Sequence, residues 1–252
     1  MLTFERQHAI LNLLQKQKIA KIAELIDATG ASESTIRRDL SELERQQKLK
    51  RIHGGASLPS RKSDEPGMSE KITAFTKEKE RIGALAASYV EDNDSIYIDA
   101  GTSTEAMISK ITAKNVTIVT NGLNIINTSI QHDFYTYVLG GYVKTGTHAF
   151  IGKAAAEAMQ KYRFDKAFLG TNGVDLTFGY STPDPEEAYI KELAIRESQQ
   201  AFILADSSKL DQTSFTCFGS LKDATLLTDS NKDTLEYLHK LAEQTSVEAV
   251  KI

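Results

Sequence analysis

Cysteine, long apolar runs and metal-ligand spacings are scarce or missing in this chain of 252 residues. Its one cysteine, Cys217, excludes an internal disulfide and fits a reducing cytoplasm, and we expect it to be a small buried side chain rather than a nucleophile. No apolar run reaches the about 18 residues of a membrane span. The five histidines show no metal-ligand spacing, so neither a metal site nor a cofactor is expected. The start MLTFERQHAILNLL has charges within its apolar pattern and no cleavage-site signature, so a signal peptide is not expected.

The charge of the chain is divided unevenly along its length. The net charge is −4, but residues 1–62 hold 12 Lys and Arg against 7 Asp and Glu, a balance of +5. The remaining residues hold 18 basic against 27 acidic side chains, a balance of −9. A basic head on an acidic body indicates that only the head meets a polyanion.

The basic head, residues 1–58, has the pattern of three helices followed by a hairpin. Helices are predicted in TFERQHAILNLLQKQ, in KIAELIDATG with a stop at Gly30, and in SESTIRRDLSELE with Ser32 as N-cap. KLKRIHGGASL then alternates around Gly54 and Gly55, as a two-stranded hairpin would. This order predicts a winged helix-turn-helix domain.

The third helix carries two adjacent arginines, Arg37 and Arg38, on the face away from its apolar stripe. On a helical wheel that stripe consists of Ile36, Leu40 and Leu43. Guanidinium groups and hydroxyls bind guanine edges and phosphates, so the arginine face is expected to contact DNA. The alternative is a solvated face with ion pairs such as Arg38–Glu42.

The predicted DNA-binding residues lie at the start of this helix, on its polar face and in the wing. Hydroxyls at the helix N-terminus can bond phosphates beside free backbone N–H groups. In the wing, basic side chains surround a tip whose glycines allow the backbone to approach DNA closely. Asp39 lies near the core side of the wheel, so its expected partner is a protein group. The predicted residues are Ser32, Ser34, Thr35, Arg37, Arg38, Ser41, Lys48, Arg51 and His53.

The rest of the chain is predicted to be a linker, residues 59–72, and an α/β domain, residues 73–252. The linker PSRKSDEPGMSE is polar and holds two of the four prolines. The following segment alternates between apolar strands and helices, which indicates a mostly parallel sheet. Almost every strand ends in Gly, Asn, Asp, Ser or Thr. Because ligands of open α/β sheets bind at the carboxyl ends of the strands, a small polar ligand is expected there.

DAGTST closes one of these strands and opens a helix, a geometry that suits a phosphate. We expect Asp99 to accept a hydrogen bond from a sugar hydroxyl, and the alternative for the other residues is ordinary helix capping. The residues proposed for the phosphate are Gly101, Thr102, Ser103 and Thr104.

Two other strands end in TNG and LGG, where Asn121 is expected to orient a hydroxyl and Gly141 serves either ligand approach or only a turn. In PEEAYIKELAI, Glu187 and Lys191 are four residues apart and share one helix face, and the alternative for them is a surface ion pair. Lys209 in ADSSK follows a very apolar strand and is a candidate phosphate or sugar contact.

STIRRDLSELERQQKLKRIHGGA, residues 34–56, resembles the helix-turn-helix signature of the DeoR family of bacterial transcriptional regulators. The body resembles the sensor domain of that family in DAGTST, TNG, LGG, EEAYIKELAI and ADSSK, so the resemblance covers nearly the whole chain. One departure is Gln47, where the family often has Gly in the turn before the wing. Within the family, MLTFERQ and ASESTIRRDLSELE look most like fructose-operon repressors.

The resemblance implies a cytoplasmic repressor of a sugar-utilisation operon that binds operator double-stranded DNA and is relieved by a phosphorylated sugar. For the fructose-like branch the implied effector is fructose 1-phosphate; tagatose 6-phosphate, glycerol 3-phosphate and deoxyribose 5-phosphate stay open. The resemblance also implies a sensor domain similar in fold to ribose-5-phosphate isomerase and the CoA-transferase group, and it favours a ligand role for Glu187 and Lys191.

A second hypothesis is a sugar-phosphate isomerase or transferase that carries a basic N-terminal domain, with Glu187 as general base. The winged head distinguishes the two hypotheses, because an enzyme has no use for the arginine face, and we expect no turnover. No heptad run supplies a coiled coil, so the sensor domains are expected to form a homodimer or homotetramer.

Overall fold

The computed structural model describes residues 2–17, 19–46, 48–52, 54–58 and 67–251. The chain divides into two units, Met1–Arg61 and Lys62–Ile252, called here the head and the body. Three points of the sequence predictions lie outside the described residues: His53 in the wing, Gln47 before it, and most of the linker, residues 59–66.

The head has the three predicted helices and the predicted hairpin. Its elements are α1 (Thr3–Gln17), β1 (Ile19–Lys21), α2 (Ile22–Thr29), α3 (Glu33–Arg45), β2 (Lys50–Ile52) and β3 (Gly55–Ser57). The helix α2 ends where Gly30 adopts the left-handed conformation, with φ of 67°, and the Gly30 N–H donates to Ile26 O at 2.7 Å. The apolar stripes meet in one core formed by Ile10, Leu14, Leu25, Ile36, Leu40, Leu43 and Leu49.

The wing has a third strand that was not predicted. β1 joins the hairpin, so the sheet order is β1-β3-β2, with antiparallel pairs. A Cβ on Gly55 would lie 2.1 Å from the carbonyl oxygen of Ala20 in β1. This glycine is therefore required by the pairing of β3 with β1, and an approach of the tip glycines to DNA stays a prediction. Gly54, with φ of 79°, makes the hairpin turn.

The body is an α/β unit, as predicted, with more elements than the pattern indicated. Two short 3₁₀ turns, Ser207–Lys209 and Leu221–Asp223, follow β12 and β13. The other elements are α4 (Met68–Thr73), α5 (Thr76–Ala87), β4 (Ser95–Ile98), α6 (Thr102–Ile108), β5 (Thr117–Thr120), α7 (Leu123–Gln131), β6 (Tyr135–Val138), β7 (Tyr142–Lys144), β8 (Ala149–Ile151), α8 (Lys153–Met159), β9 (Phe164–Gly170), β10 (Gly173–Asp175), β11 (Gly179–Thr182), α9 (Pro185–Arg196), β12 (Ser198–Ala205), β13 (Thr216–Gly219), β14 (Thr225–Ser230), α10 (Leu235–Ala242) and β15 (Val247–Lys251).

Seven strands form one parallel sheet in the order β15-β14-β12-β9-β4-β5-β6. Successive side chains of each strand enter different cores, because their directions alternate. In β4, Tyr97 joins the core covered by α8, α9 and α10, and Ile96 and Ile98 join the core covered by α5, α6 and α7. Burial on both faces explains why the inner strands of the sheet, such as β4, are rich in apolar residues.

Several predictions about the body are corrected by the structure. Residues 68–72 of the predicted linker lie in the helix α4. Cys217, predicted to be buried, is exposed in β13. Two small antiparallel sheets, β7-β8 and β10-β11-β13, interrupt the strand–helix alternation. In the described part of the chain, none of the helices has the length and apolarity that a membrane crossing requires.

Candidate functional site

The N-terminus of α3 is closed by a cluster of hydroxyls. Ser32 is the N-cap, and its Oγ accepts a hydrogen bond from the backbone N–H of Thr35 at 3.4 Å. The same Oγ lies 3.1 Å from Ser34 Oγ and 2.9 Å from Thr35 Oγ1. Ser32 and Ser34 are exposed and Thr35 is half-buried. The predicted phosphate-binding hydroxyls therefore lie together at the positive end of the helix dipole.

The two central arginines of α3 are exposed but differ in their partners. Arg37 donates to Glu33 Oε1 from Nε at 2.9 Å and from Nη2 at 2.7 Å. The Arg38 side chain makes no hydrogen bond or ion pair with any residue that the structure describes. The alternative Arg38–Glu42 pair is not formed, because Glu42 accepts from Arg45 at 2.7 and 3.1 Å and from Gln46 at 2.7 Å. These two donors, Arg45 first, lower the pKa of the Glu42 carboxyl.

The remaining polar groups of α3 support its position. Asp39 is buried and forms a two-bond pair with Arg6 of α1, with Nε–Oδ2 at 2.5 Å and Nη2–Oδ1 at 3.2 Å. This confirms that the partner of Asp39 is a protein group. Ser41 Oγ donates to the carbonyl of Arg37 at 2.9 Å and accepts from Arg51 Nη1 at 2.8 Å. Ser41 and Arg51 thus join the helix face to the wing.

Lys48 precedes the wing and is exposed. Its backbone N–H donates to the carbonyl of Leu43 at 2.9 Å, but its side chain has no hydrogen-bond or ion-pair partner within the described ranges of the chain. Lys48 and Arg38 are thus two cationic groups of the head whose hydrogen-bonding capacity is available to another molecule.

In the body, the direction of strand order reverses at β4. From β4 the chain proceeds outward through β5 and β6, and then returns to the other side of β4 with β9. The carboxyl ends of β4 and β9 border this switch point, which is where open α/β sheets bind ligands. Asp99 directly follows β4, and Gly170 ends β9.

Two oppositely charged, buried side chains meet at this switch point. Lys191 of α9 forms an ion pair with Asp99 Oδ2 and donates to the carbonyl of Gly170 at 2.9 Å. The same Asp99 oxygen accepts from the Gly170 N–H at 3.1 Å. The ammonium also lies 5.6 Å from the centre of the Phe218 ring.

Glu187, one helical turn before Lys191, is buried and has separate partners. Its Oε1 accepts from Thr147 Oγ1 at 2.5 Å and from Lys144 Nζ at 3.0 Å. The alternative surface pair between Glu187 and Lys191 is therefore not formed. Lys144 and Thr147 were not predicted, because the antiparallel strands β7 and β8, whose turn carries Thr147, had no clear sequence pattern.

Lys144 also binds Asp184, the N-cap of α9, at 2.8 Å. Burial raises the pKa of Asp184, but hydrogen bonds from Lys144 and from the backbone N–H groups of Glu186 and Glu187 outweigh burial, so the pKa is lowered. The switch point and the start of α9 therefore carry three acidic groups, Asp99, Asp184 and Glu187, and two basic groups, Lys144 and Lys191.

The DAGTST segment lies at the same edge of the sheet. Thr102 and Ser103 begin α6, are half-buried, and have side chains without a hydrogen bond to any described residue. Thr104 is buried, and its hydroxyl donates to Asp99 O at 2.7 Å and Gly101 O at 3.0 Å. The hydroxyl of Thr104 thus stabilises the turn, as the capping alternative describes.

Asn121 and Gly141 are held by the fold. The Asn121 amide oxygen accepts from Tyr97 OH at 2.8 Å and from Ala100 N–H at 3.0 Å, and its Nδ2 donates to Phe150 O at 3.2 Å. Its two acceptor positions are therefore occupied. A Cβ on Gly141, where φ is 106°, would lie 2.6 Å from the carbonyl oxygen of Ile151. Both residues have a structural role, and ligand contact stays a prediction for them.

Lys209 ends the 3₁₀ turn after β12, two strands away from β4, and contacts no other predicted site residue. It lies near the buried Lys79 of α5. Burial is the main cause that lowers the pKa of Lys79, and the charges of Lys209 and Lys71 lower it further, whereas the charge of Asp206 raises it. Lys79 was not predicted, although its spacing from Ile82 and Ala86 puts it on the apolar stripe of α5.

The helix α4 is held at both ends. At its start, the Met68 N–H donates to the carbonyl of Gly146 at 3.1 Å, in the turn between β7 and β8 that also holds Thr147. At its end, Lys79 Nζ donates to the carbonyl of Ala74 at 2.6 Å and to that of Lys71. The first helix of the body thus contacts the turn that carries a partner of Glu187.

Comparison with known proteins gives matches along both units. Residues 6–62 match the family model of the DeoR-like helix-turn-helix domain, and residues 74–230 match that of the DeoR C terminal sensor domain. The uncharacterized HTH-type transcriptional regulator FruR of Bacillus subtilis is 47% identical over 100% of both chains. The lactose phosphotransferase system repressor of Staphylococcus epidermidis is 34% identical over 90% of this chain and 92% of that protein.

Among solved structures, ribose 5-phosphate isomerase A of Methanocaldococcus jannaschii aligns with a TM-score of 0.41 and 15% identity. The alignment covers 54% of this chain and 55% of the isomerase. A similarity of this size carries no conclusion about chemistry.

Proposed function

This chain belongs to the DeoR family of DNA-binding transcriptional regulators, and on that premise we propose that it represses a sugar-utilisation operon and is released from its operator by a phosphorylated sugar. The family's regulators bind DNA rather than catalyse a reaction, so the enzyme hypothesis is set aside. A regulator of this kind works in the cytoplasm, where the operator is accessible.

The observation that carries the proposal is the exposed arginine face of α3. The Arg38 side chain is positively charged and has no partner among the described residues. It lies next to Arg37, on a helix whose N-terminus is rich in hydroxyl groups. We assign Arg37 and Arg38 to base edges or phosphates, and Ser32, Ser34 and Thr35 to phosphates. We assign Lys48, in the segment before the wing, to a phosphate.

The proposed effector site is the switch point of the sheet. A sugar phosphate combines hydroxyls, which suit the carboxylates of Asp99 and Glu187, with a phosphate, which suits ammonium groups and helix N–H groups. Lys191 is in place for this role, and Thr102 and Ser103 have free hydroxyl groups nearby. Lys209 is proposed to close the site from the neighbouring strand end.

We propose fructose 1-phosphate as the effector, which fits the name FruR of the 47% identical relative. Tagatose 6-phosphate, glycerol 3-phosphate and deoxyribose 5-phosphate are the alternatives. In this proposal, effector binding and operator binding are thermodynamically coupled. The effector favours one arrangement of the paired sensor domains, and in that arrangement the heads bind the two half-sites less well. A tenfold loss of operator affinity needs about 1.4 kcal/mol of differential binding.

The test is an electrophoretic mobility shift with the chain's own upstream DNA and a panel of ligands. The panel contains the four sugar phosphates above, and fructose without phosphate serves as the control. We expect fructose 1-phosphate to release the DNA at the lowest concentration, and free fructose to have no effect. Release by another member of the panel would replace the proposed effector, and no binding to the upstream DNA would refute the operator assignment.

A further inference from the structure

We propose that the β6 edge of the body's sheet is the surface through which two copies of this chain associate. The proposal rests on the proposed function, because one head contacts one half-site and a helix-turn-helix regulator binds two half-sites about one DNA turn apart. The sensor domains have to supply the pairing, and β6 is where their surface is best suited to it.

Exposed apolar side chains are concentrated at this edge. Half of the exposed large apolar residues in the described part of the body fall between residues 123 and 142. In the same stretch the chain has one charged side chain, Asp133, although a quarter of all its residues are charged. The residues concerned, called here the edge patch, are Leu123, Ile130, Tyr135, Tyr137, Val138 and Tyr142.

The two edges of the sheet differ in how they are protected. β15, at one edge, carries Glu248 and Lys251, and charged side chains discourage the addition of a further strand. β6, at the other edge, has the sequence YTYV and carries none. Its backbone groups that point away from β5 have no hydrogen bond to any described residue. An edge of this kind pairs readily with another strand.

A second copy fits this surface better than an unrelated protein. Interfaces with two-fold symmetry place the same patch on both sides, so a patch with net charge would repel itself. The edge patch has no charge, although residues 63–252 together carry a balance of −9. Antiparallel pairing of β6 with its copy would give partners to the open backbone groups of both strands at once.

The three exposed tyrosines of the patch supply a large part of the area that a dimer interface needs. Tyr135, Tyr137 and Tyr142 are 75%, 55% and 69% exposed. At about 200 Å² for a fully covered tyrosine, they would bury about 400 Å² per copy. A standard interface covers about 800 Å² per partner, so three side chains supply about half of it. Leu123 and Ile130 are exposed on α7, which contacts β6 from the opposite face of the sheet.

The experiment measures the mass of the full chain by light scattering after size exclusion, at micromolar concentration. We expect the wild type to be a dimer or tetramer, and Tyr135→Lys together with Tyr142→Lys to halve the mass. Phe215→Lys is the matched control, because Phe215 is 60% exposed and lies outside the patch. Circular dichroism of the variants serves as the control for folding. We expect the fold to be kept, because the substituted side chains are exposed.

A second measurement locates the interface directly. Thr136→Cys and Tyr137→Cys are made separately in a Cys217→Ser background, and each variant is oxidised. Residues that face each other across antiparallel strands have Cα atoms about 4.5–5.5 Å apart, which is within the range of a disulfide. At least one should give a covalent dimer, and Glu248→Cys on the other edge should not.

A monomeric wild type, or an oligomer whose mass the edge substitutions leave unchanged and whose β6 cysteines stay unlinked, would overturn the proposal. Failure of the operator or effector assignment appears separately, as loss of DNA binding or of ligand response in the wild type.

Discussion

The difference between Arg37 and Arg38 leads to a quantitative prediction for operator binding. Arg38 has no ion pair to give up, whereas Arg37 must leave Glu33 before it can bind DNA. An exposed pair four residues apart on a helix is worth about 0.3–0.5 kcal/mol, which lowers the net gain from Arg37 by a factor of about two. Arg38 is therefore expected to contribute more to binding.

If Arg38 forms a two-bond contact with a guanine edge, Arg38→Ala should cost about 1–3 kcal/mol on the operator, which is a loss of about 5- to 150-fold. If Arg38 contacts only a phosphate, the loss should be equal on every sequence, and the slope of log affinity against log salt should fall by about 0.9. Alanine is the best helix former, so α3 itself should not be weakened.

The assay is fluorescence anisotropy with an operator duplex and a scrambled duplex over a range of salt concentrations. Arg37→Ala is measured beside Arg38→Ala, and Arg45→Ala is the control. Arg45 has the same charge on the same helix but is paired with Glu42 near the C-terminus of α3. The reasoning is refuted if Arg38→Ala and Arg45→Ala give the same affinity and salt slope as the wild type on both duplexes.

Three further predictions concern the body. Lys191→Met leaves the carboxylate of Asp99 buried without its cation, so the free energy of unfolding should fall by about 3–5 kcal/mol. Adding Asp99→Asn should recover part of that loss, as measured by thermal or denaturant unfolding. Thr102→Ala together with Lys209→Ala should leave operator affinity unchanged in a mobility shift while raising the effector concentration needed for release; an unchanged response would place the effector elsewhere. Burial, together with the charges of Asp206 and Glu78, raises the pKa of Asp229 in the folded state. The folded state therefore binds the Asp229 proton more tightly than the unfolded state does. The stability that this proton supplies is lost as the pH rises through the folded pKa. Asp229→Asn should therefore raise the free energy of unfolding at pH 7 and have a smaller effect at acidic pH, and equal effects at both would contradict the assignment.

Local patterns were sufficient to predict the head. Its three helices bury apolar residues at helical spacing, and the stop at Gly30 follows from the left-handed conformation that glycine adopts easily. The third wing strand could not be predicted in this way, because β1 has three residues and exists only through its pairing with β3. Its one sequence signal is Gly55, whose missing side chain makes room for that pairing.

In the body, the sequence predicted the main sheet and the strand ends but not the partners across them. Asp99 and Lys191 were both candidates, yet they are 92 residues apart in the chain, and their contact follows from strand order, which no local pattern contains. Lys144 was missed for the same reason, since it reaches Glu187 from the end of the antiparallel strand β7. The helix α7 has no clear local signal, because LNIINTSIQ is rich in residues with low helix propensity and the helix is stabilised by packing.

The hydrogen bonds that hold the two ends of α4 also set the length of the connection between the units. Ten residues separate the last strand of the wing from Met68, and eighteen separate it from the first residue of α5, Thr76. The effective concentration of a second head at its half-site depends on the length of such a connection. A ligand that displaces Thr147 from Glu187 would also move the turn that holds the Met68–Gly146 bond. If that bond opens, the connection becomes longer by up to eight residues. The paired heads then lose avidity, although the contacts that each head makes with DNA do not change.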